Sequence, residues 1–290
     1  MKIKLLFLLL SLNFIGSLYS MNPTSNEMLI RGAKDGDIKL VQEALGLHAK
    51  DQSSYVPSIL TRIKRTFAGN IKIIPKTLEY TANIDFQDEY GYTALMHAII
   101  NKHESIVELL LDKGANPDIR NDKGQTALMY AVSNPKSYIN NIVRLLLDKG
   151  ANLDIRDRGG DTALMIAAVY SLKDIVQLLL DRGANPDIQD NNGSTALMHA
   201  ALFGEEADYV IAKLLLNSGA SLDLANKDGE TALDIAKRKK YKSMADLIEH
   251  VRRERFRQET HKEIVESGYL LPELAEIVSE YAIYPKQKQT

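Results

Sequence analysis

Between residues 93 and 251 the apolar positions follow a pattern that restarts five times. The openings are Thr93-Ala94-Leu95-Met96, Thr126-Ala127-Leu128-Met129, Thr162-Ala163-Leu164-Met165, Thr195-Ala196-Leu197-Met198 and Thr231-Ala232-Leu233-Asp234. Successive threonines lie 33, 36, 33 and 36 residues apart. A period in this range predicts stacked repeats rather than one closed core. Within a copy, Leu95, Ala98 and Ile99 fall at helical spacing and make an apolar stripe. A second helix is predicted through Ile106 to Leu111, with counterparts at Ile142 to Leu147, Ile175 to Leu180 and Val210 to Leu216. Segments this short and this apolar do not stand alone in water, so each must be buried between its neighbours.

Polar and small residues punctuate the same unit. Each threonine precedes a helix, where its hydroxyl can accept from a free backbone amide and contribute about 1 kcal/mol. Ala98 recurs as Ala131, Ala167, Ala200 and Ala236, which keeps side chains small where helices approach closely. Gly114, Gly150, Gly183 and Gly219 close the second helices, where a left-handed backbone suits glycine. An extended stretch such as Ala115-Asn116-Pro117-Asp118-Ile119 then leads into the next turn.

Helix, short turn, antiparallel helix and projecting hairpin-like loop together resemble the ankyrin repeat. The resemblance implies an all-α fold, an ankyrin-repeat solenoid. Five copies are assigned to 84–251, at 88–120, 121–156, 157–189, 190–225 and 226–251. A partial copy at 21–45 acts as an N-terminal cap, with Gly32-Ala33-Lys34-Asp35-Gly36-Asp37 between its two helices. The chain departs from the family pattern in one respect. Alanine follows the threonine where the family has proline, and Met96, Met129, Met165 and Met198 stand where it has histidine.

The irregular segments carry separate expectations. Lys2, Lys4, the apolar run Leu5 to Leu12 and the small or polar residues to Ser20 form a signal peptide over 1–20. They predict export, secreted or periplasmic, with an uncleaved membrane anchor as the alternative. Residues 46–83 interrupt the array with a basic insertion that includes Arg62, Lys64, Arg65, Lys72 and Lys76. Two copies carry three extra residues between their helices, near Asn134-Pro135-Lys136-Ser137 and Phe203-Gly204-Glu205-Glu206. The remainder, 252–290, is expected to be a helical tail. Within it, Leu271-Pro272-Glu273-Leu274 followed by Ile277-Val278 looks like the start of an F-box-like segment. That likeness implies docking on ubiquitin-ligase machinery; the plain reading is a helix that covers the end of the stack.

Charge and chemistry narrow the function. The chain has a formal net charge of −2 and no cysteine, which excludes disulfides, thiolate nucleophiles and cysteine-ligated zinc. From Ile84 to Ile235 there are 23 acids against 13 bases, an acidic array unsuited to nucleic acid. From Lys237 to Arg257 there are 9 bases and 3 acids, read as the solvated side of a capping repeat. None of the six histidines has metal-ligand spacing on one helical face, and His97 and His199 occupy equivalent repeat positions, as packing residues do. The once-per-copy aspartates Asp118, Asp154, Asp187 and Asp223 follow the period and call for no acid–base role. The expectation is no enzyme, no cofactor, no catalytic or metal site, and no membrane contact once the signal is cleaved. The partner is another protein.

The family resemblance implies contacts through loop tips and the exposed side of each first helix. Those places hold Tyr90, Tyr92, Asn101, Lys123, Gln125, Ser133, Arg158, Asp161, Tyr170, Asn192, Ser194, Leu202 and Phe203. Tyrosine and arginine dominate interface energetics, which favours Tyr90, Tyr92, Arg158 and Tyr170, with Phe203 added as an exposed aromatic. The alternatives are a host-directed adaptor using the F-box-like tail, and a self-associating structural protein.

Overall fold

The structure, a computed structural model, describes residues 25–47, 82–133, 139–203 and 206–266. The signal peptide, nearly all of the basic insertion, the Asn134 to Ser137 loop and the F-box-like segment lie outside them. The described residues contain helices and turns and no strand. The chain divides into two compact units, one of residues up to 134 with 141–151, the other of 135–140 and 152 onward.

In the first unit the helical pairs are α1 (Ser25–Asp35) with α2 (Ile38–Ala44), α3 (Ala94–Ile100) with α4 (Glu104–Asp112), and α5 (Ala127–Val132) with α6 (Ile139–Asp148), whose first two residues are grouped with the other unit. First helices pack on first helices, α1 on α3 and α3 on α5, while α2 lies against α4. The partial N-terminal copy is therefore a full helical pair. Its Gly32 to Asp35 are helical rather than a linker, and the turn is confined to Gly36 and Asp37. Gly32 permits the close pairing, because a Cβ there would lie 2.9 Å from Val41 Cγ2. Two residues of the expected insertion are tied to this pair: the Ala82 amide donates to the Ala44 carbonyl, and the Asn83 amide to Asn26 Oδ1.

The second unit pairs α7 (Ala163–Val169) with α8 (Lys173–Asp181), α9 (Ala196–Phe203) with α10 (Glu206–Asn217), and α11 (Ala232–Arg238) with α12 (Lys242–Glu266). Again α7, α9 and α11 pack in sequence, as do α8, α10 and α12. Helix α12 runs 25 residues without a break at 251, so the last copy and the start of the tail are one element. Arg255 fixes it to the unit by donating to the Leu216 and Ala220 carbonyls.

The sequence pattern explains these elements. Thr93, Thr126, Thr162 and Thr195 accept from the amides of Met96, Met129, Met165 and Met198. Thr231 and Asp234 go further and form a reciprocal capping box. The four methionines are 1–2 % exposed, so the positions where the family has histidine are filled here by core packing. Ala98, Ala131, Ala167, Ala200 and Ala236 are all buried.

One turn recurs between copies. Asp88 Oδ1 accepts from the Tyr90 and Tyr92 amides, and Asn121, Asp157, Asp190 and Asn226 each accept from the amides two and four residues on. Glycine is required near the turn tip. Gly160 has φ +87°, and a Cβ on it would sit 2.6 Å from the Asn191 backbone nitrogen. The periodic aspartates stitch copy to copy: Asp154 and Asp187 accept from the Asn185 and Ser221 amides, as Asp85 does from Asn116.

Candidate partner-binding surface

In the first unit the structure separates the expected contact residues into two sets. Tyr90 stands at a turn tip with 61 % of its surface exposed, its amide held by Asp88 and its carbonyl accepting from the Asp122 amide. Lys123 is exposed at the next tip, and Asn101 is exposed at the end of α3, where its side-chain amide caps the His97 carbonyl. Tyr92, Gln125 and Ser133 are only part-exposed and bond inward. The Tyr130 hydroxyl shares hydrogen bonds with the Tyr92 hydroxyl (2.9 Å) and Gln125 Oε1 (2.6 Å), and accepts from Asn121 Nδ2. Burial, with Tyr92 beside it, holds the Tyr130 phenol well above its ordinary pKa. Ser133 Oγ donates to the Met129 carbonyl.

Tyr92 also stacks on His97, with ring centroids 5.3 Å apart. His97 Nε2 lies 2.8 Å from Asp88 Oδ2, and Lys34 Nζ lies 3.7 Å from the same oxygen. Burial works against the Asp88 charge, but bonds from His97 and from the Tyr92 and Tyr90 amides outweigh it and hold its pKa below the ordinary value. Burial lowers the His97 pKa against the pull of Asp88, with the Lys34 charge adding to the fall. Both shifts agree with a neutral imidazole donating to a carboxylate whose countercharge is Lys34. This group is a closed structural network.

In the second unit, Tyr170 ends α7 and Phe203 ends α9, on neighbouring helices and at the same distance from their capping threonines. They are 50 % and 46 % exposed, with Val169 also outward and Leu202 half-buried beside them. Arg158 is exposed at a turn tip, its carbonyl accepting from Asn191 Nδ2. Asn192 is exposed at the following tip, and its carbonyl accepts from the Lys227 amide. Ser194 is part-buried, its amide on Asp190 Oδ1.

Asp161 is not a simple surface residue. It faces Asp190 and His199, and one ligand-type atom from each of the three lies within 4.8 Å of the others. Burial first, then the charges of Asp157 and Asp190, raise its pKa, with His199 pulling the other way. His97 and His199 thus occupy one repeat position in different surroundings. The spacing of histidines along single helices did not expose this group, because its members come from two successive copies.

A chain built of helical pairs with capping threonines, glycine-closed second helices and Asx-turn connections is a repeat protein of the helical-pair class. A family model for ankyrin repeats (3 copies) matches residues 29–121, 63–157, 114–190 and 164–253. The chain belongs to the ankyrin-repeat family. Among solved structures, an ankyrin repeat domain from Acinetobacter baumannii is similar at 30 % identity and TM-score 0.58, over 77 % of this chain and 96 % of that one. A second ankyrin repeat protein is similar at 25 % identity and TM-score 0.60, over 79 % and 98 % of the two chains. A third likeness is to a chain in the structure of a predatory endopeptidase from Bdellovibrio bacteriovorus in complex with an immunity protein, at 28 % identity and TM-score 0.54, over 77 % and 97 %. No curated protein matches the sequence. No helix among the described residues is long and apolar enough to cross a membrane.

Proposed function

We propose that this chain is an exported, non-catalytic scaffold that captures another protein through its turn tips and the outer ends of its first helices. The observation that carries this reading is the pair Tyr170 and Phe203, large aromatics about half exposed at one register position on adjacent helices. Aromatic side chains held outward on rigid elements supply contact area at low entropic cost, as interface anchors do. Arg158 adds a cation beside the same unit's turn tips, and Tyr90 presents a further aromatic in the first unit. The likeness to a chain from an endopeptidase–immunity protein complex supports a folded protein as the partner. Export rests on the positively charged and apolar N-terminal residues alone.

The test is capture of partners by the full chain and by variants. Replacing Tyr170 and Phe203 together with alanine is expected to reduce recovery of the main partner by tenfold or more, with the far-UV circular dichroism unchanged. Tyr92 is left intact, because its stacking and hydroxyl bonds would confuse lost binding with lost packing. Full recovery with the double variant overturns the reading. Loss of the partner on deleting 269–284 instead would favour the adaptor reading.

A further inference from the structure

We propose that Asp161, Asp190 and His199 form a binding site for one divalent transition-metal ion of the zinc type. The separation of His199 and Asp190 suits an ion better than a hydrogen bond. His199 Nε2 and Asp190 Oδ2 are 3.5 Å apart, too far for a good hydrogen bond. Two ligands each about 2.0–2.1 Å from a tetrahedral ion lie about 3.4 Å apart. The third ligand atom, on Asp161, falls within the same 4.8 Å cluster.

The imidazole supplies the second observation. His199 Nε2 is buried and has no hydrogen-bond partner, on a side chain only 18 % exposed. Orphaned buried nitrogens are uncommon, and an ion is one of the few things that satisfies them. Asp190, whose side chain is 6 % exposed, aims its free oxygen at that nitrogen while its other oxygen is fixed by the Asn192 and Ser194 amides, both at 2.7 Å. One ligand is therefore locked on a turn, one sits on α9, and one belongs to the preceding copy, so an ion would clip two copies of this unit together.

Charge points the same way. In the first unit, Asp88 and His97 are completed by the Lys34 cation. At Asp190 and His199 the added group is a second carboxylate, and among the described residues no lysine or arginine pairs with either aspartate. The two carboxylates gather negative charge that a bound cation would offset. An imidazole with two carboxylates selects zinc and its transition-metal neighbours over magnesium and calcium, and three protein ligands leave a position for water.

The sister copies provide substitutions already compatible with the fold. Gln125 holds the place of Asp161, and Ile166 that of His199. The full chain, stripped with a chelator, would be titrated with zinc chloride by calorimetry, and with cobalt(II) to read ligand-field absorption. The wild type is expected to bind one ion per chain with a rise in melting temperature. Asp161→Gln and His199→Ile should each bind about tenfold more weakly or worse and lose the cobalt spectrum. Absence of stoichiometric uptake by the wild type, or wild-type affinity in both variants, overturns the proposal. So does magnesium binding as tight as zinc.

Discussion

Asp88 with His97 and Asp190 with His199 are the same two repeat positions, yet their surroundings are opposite in charge. In the first unit the carboxylate accepts from the imidazole at 2.8 Å, Tyr92 stacks on the ring, and Lys34 balances the charge. In the second the separation opens to 3.5 Å, the ring nitrogen is orphaned, and Asp161 adds a second negative group. The backbone turn is the same in both. A residue's place in the repeat thus fixes its position, while residues from the neighbouring copy fix its chemistry.

Four predictions bear on that contrast. The largest effect lies in what the two regions share. Leu95→Ala and Leu164→Ala each remove a fully buried side chain at equivalent positions, and each is expected to cost about 3 kcal/mol by chemical denaturation. Very unequal losses would show that the regions differ in packing as well as in polar chemistry. Next, His97→Ile leaves the Asp88 carboxylate without its side-chain donor and should cost about 1–2 kcal/mol, whereas His199→Ile in chelator should be nearly neutral. Equal costs would erase the distinction.

The third prediction is a pH dependence. The folded His97 has a pKa below its ordinary 6.5, so the unfolded chain binds more protons between the lowered value and 6.5. Stability from this group is present above pH 6.5 and is lost as pH falls below it, at no more than about 1.4 kcal/mol per pH unit. Denaturation midpoints at pH 7 and pH 5.5 should fall more for the wild type than for His97→Ile. The smallest effect is at Asp161. Replacement with serine, the residue that Ser194 supplies at the same position, should raise stability in chelator by about 0.5 kcal/mol, a modest gain because the carboxylate is partly screened by solvent. A loss instead would mean that Asp161 is favourably partnered without an ion.

The repeat architecture was legible because its signals are local. Thr93 and its counterparts cap through their own third-following amide, and glycines close the second helices within a few residues. Four things were not legible for the converse reason. Gly32 to Asp35 read as a linker, yet packing against α2 and α3 holds them in a helix. Helix α12 continues past 251 because no residue there interrupts it and Arg255 anchors it from afar. Tyr92 reads as a surface aromatic until Tyr130 of the next copy is placed over it, and Asp161 becomes a ligand candidate only beside Asp190 and His199.

The recurring Asx turn needs just one short side-chain acceptor, a glycine and main-chain amides. The residues displayed between them contribute nothing to its geometry beyond their N–H groups. Display and framework are consequently uncoupled: a segment such as Lys123 or Arg158 can be rewritten for a new target while the loop beneath keeps its shape, which is how a lineage of such chains would diversify without relearning how to fold.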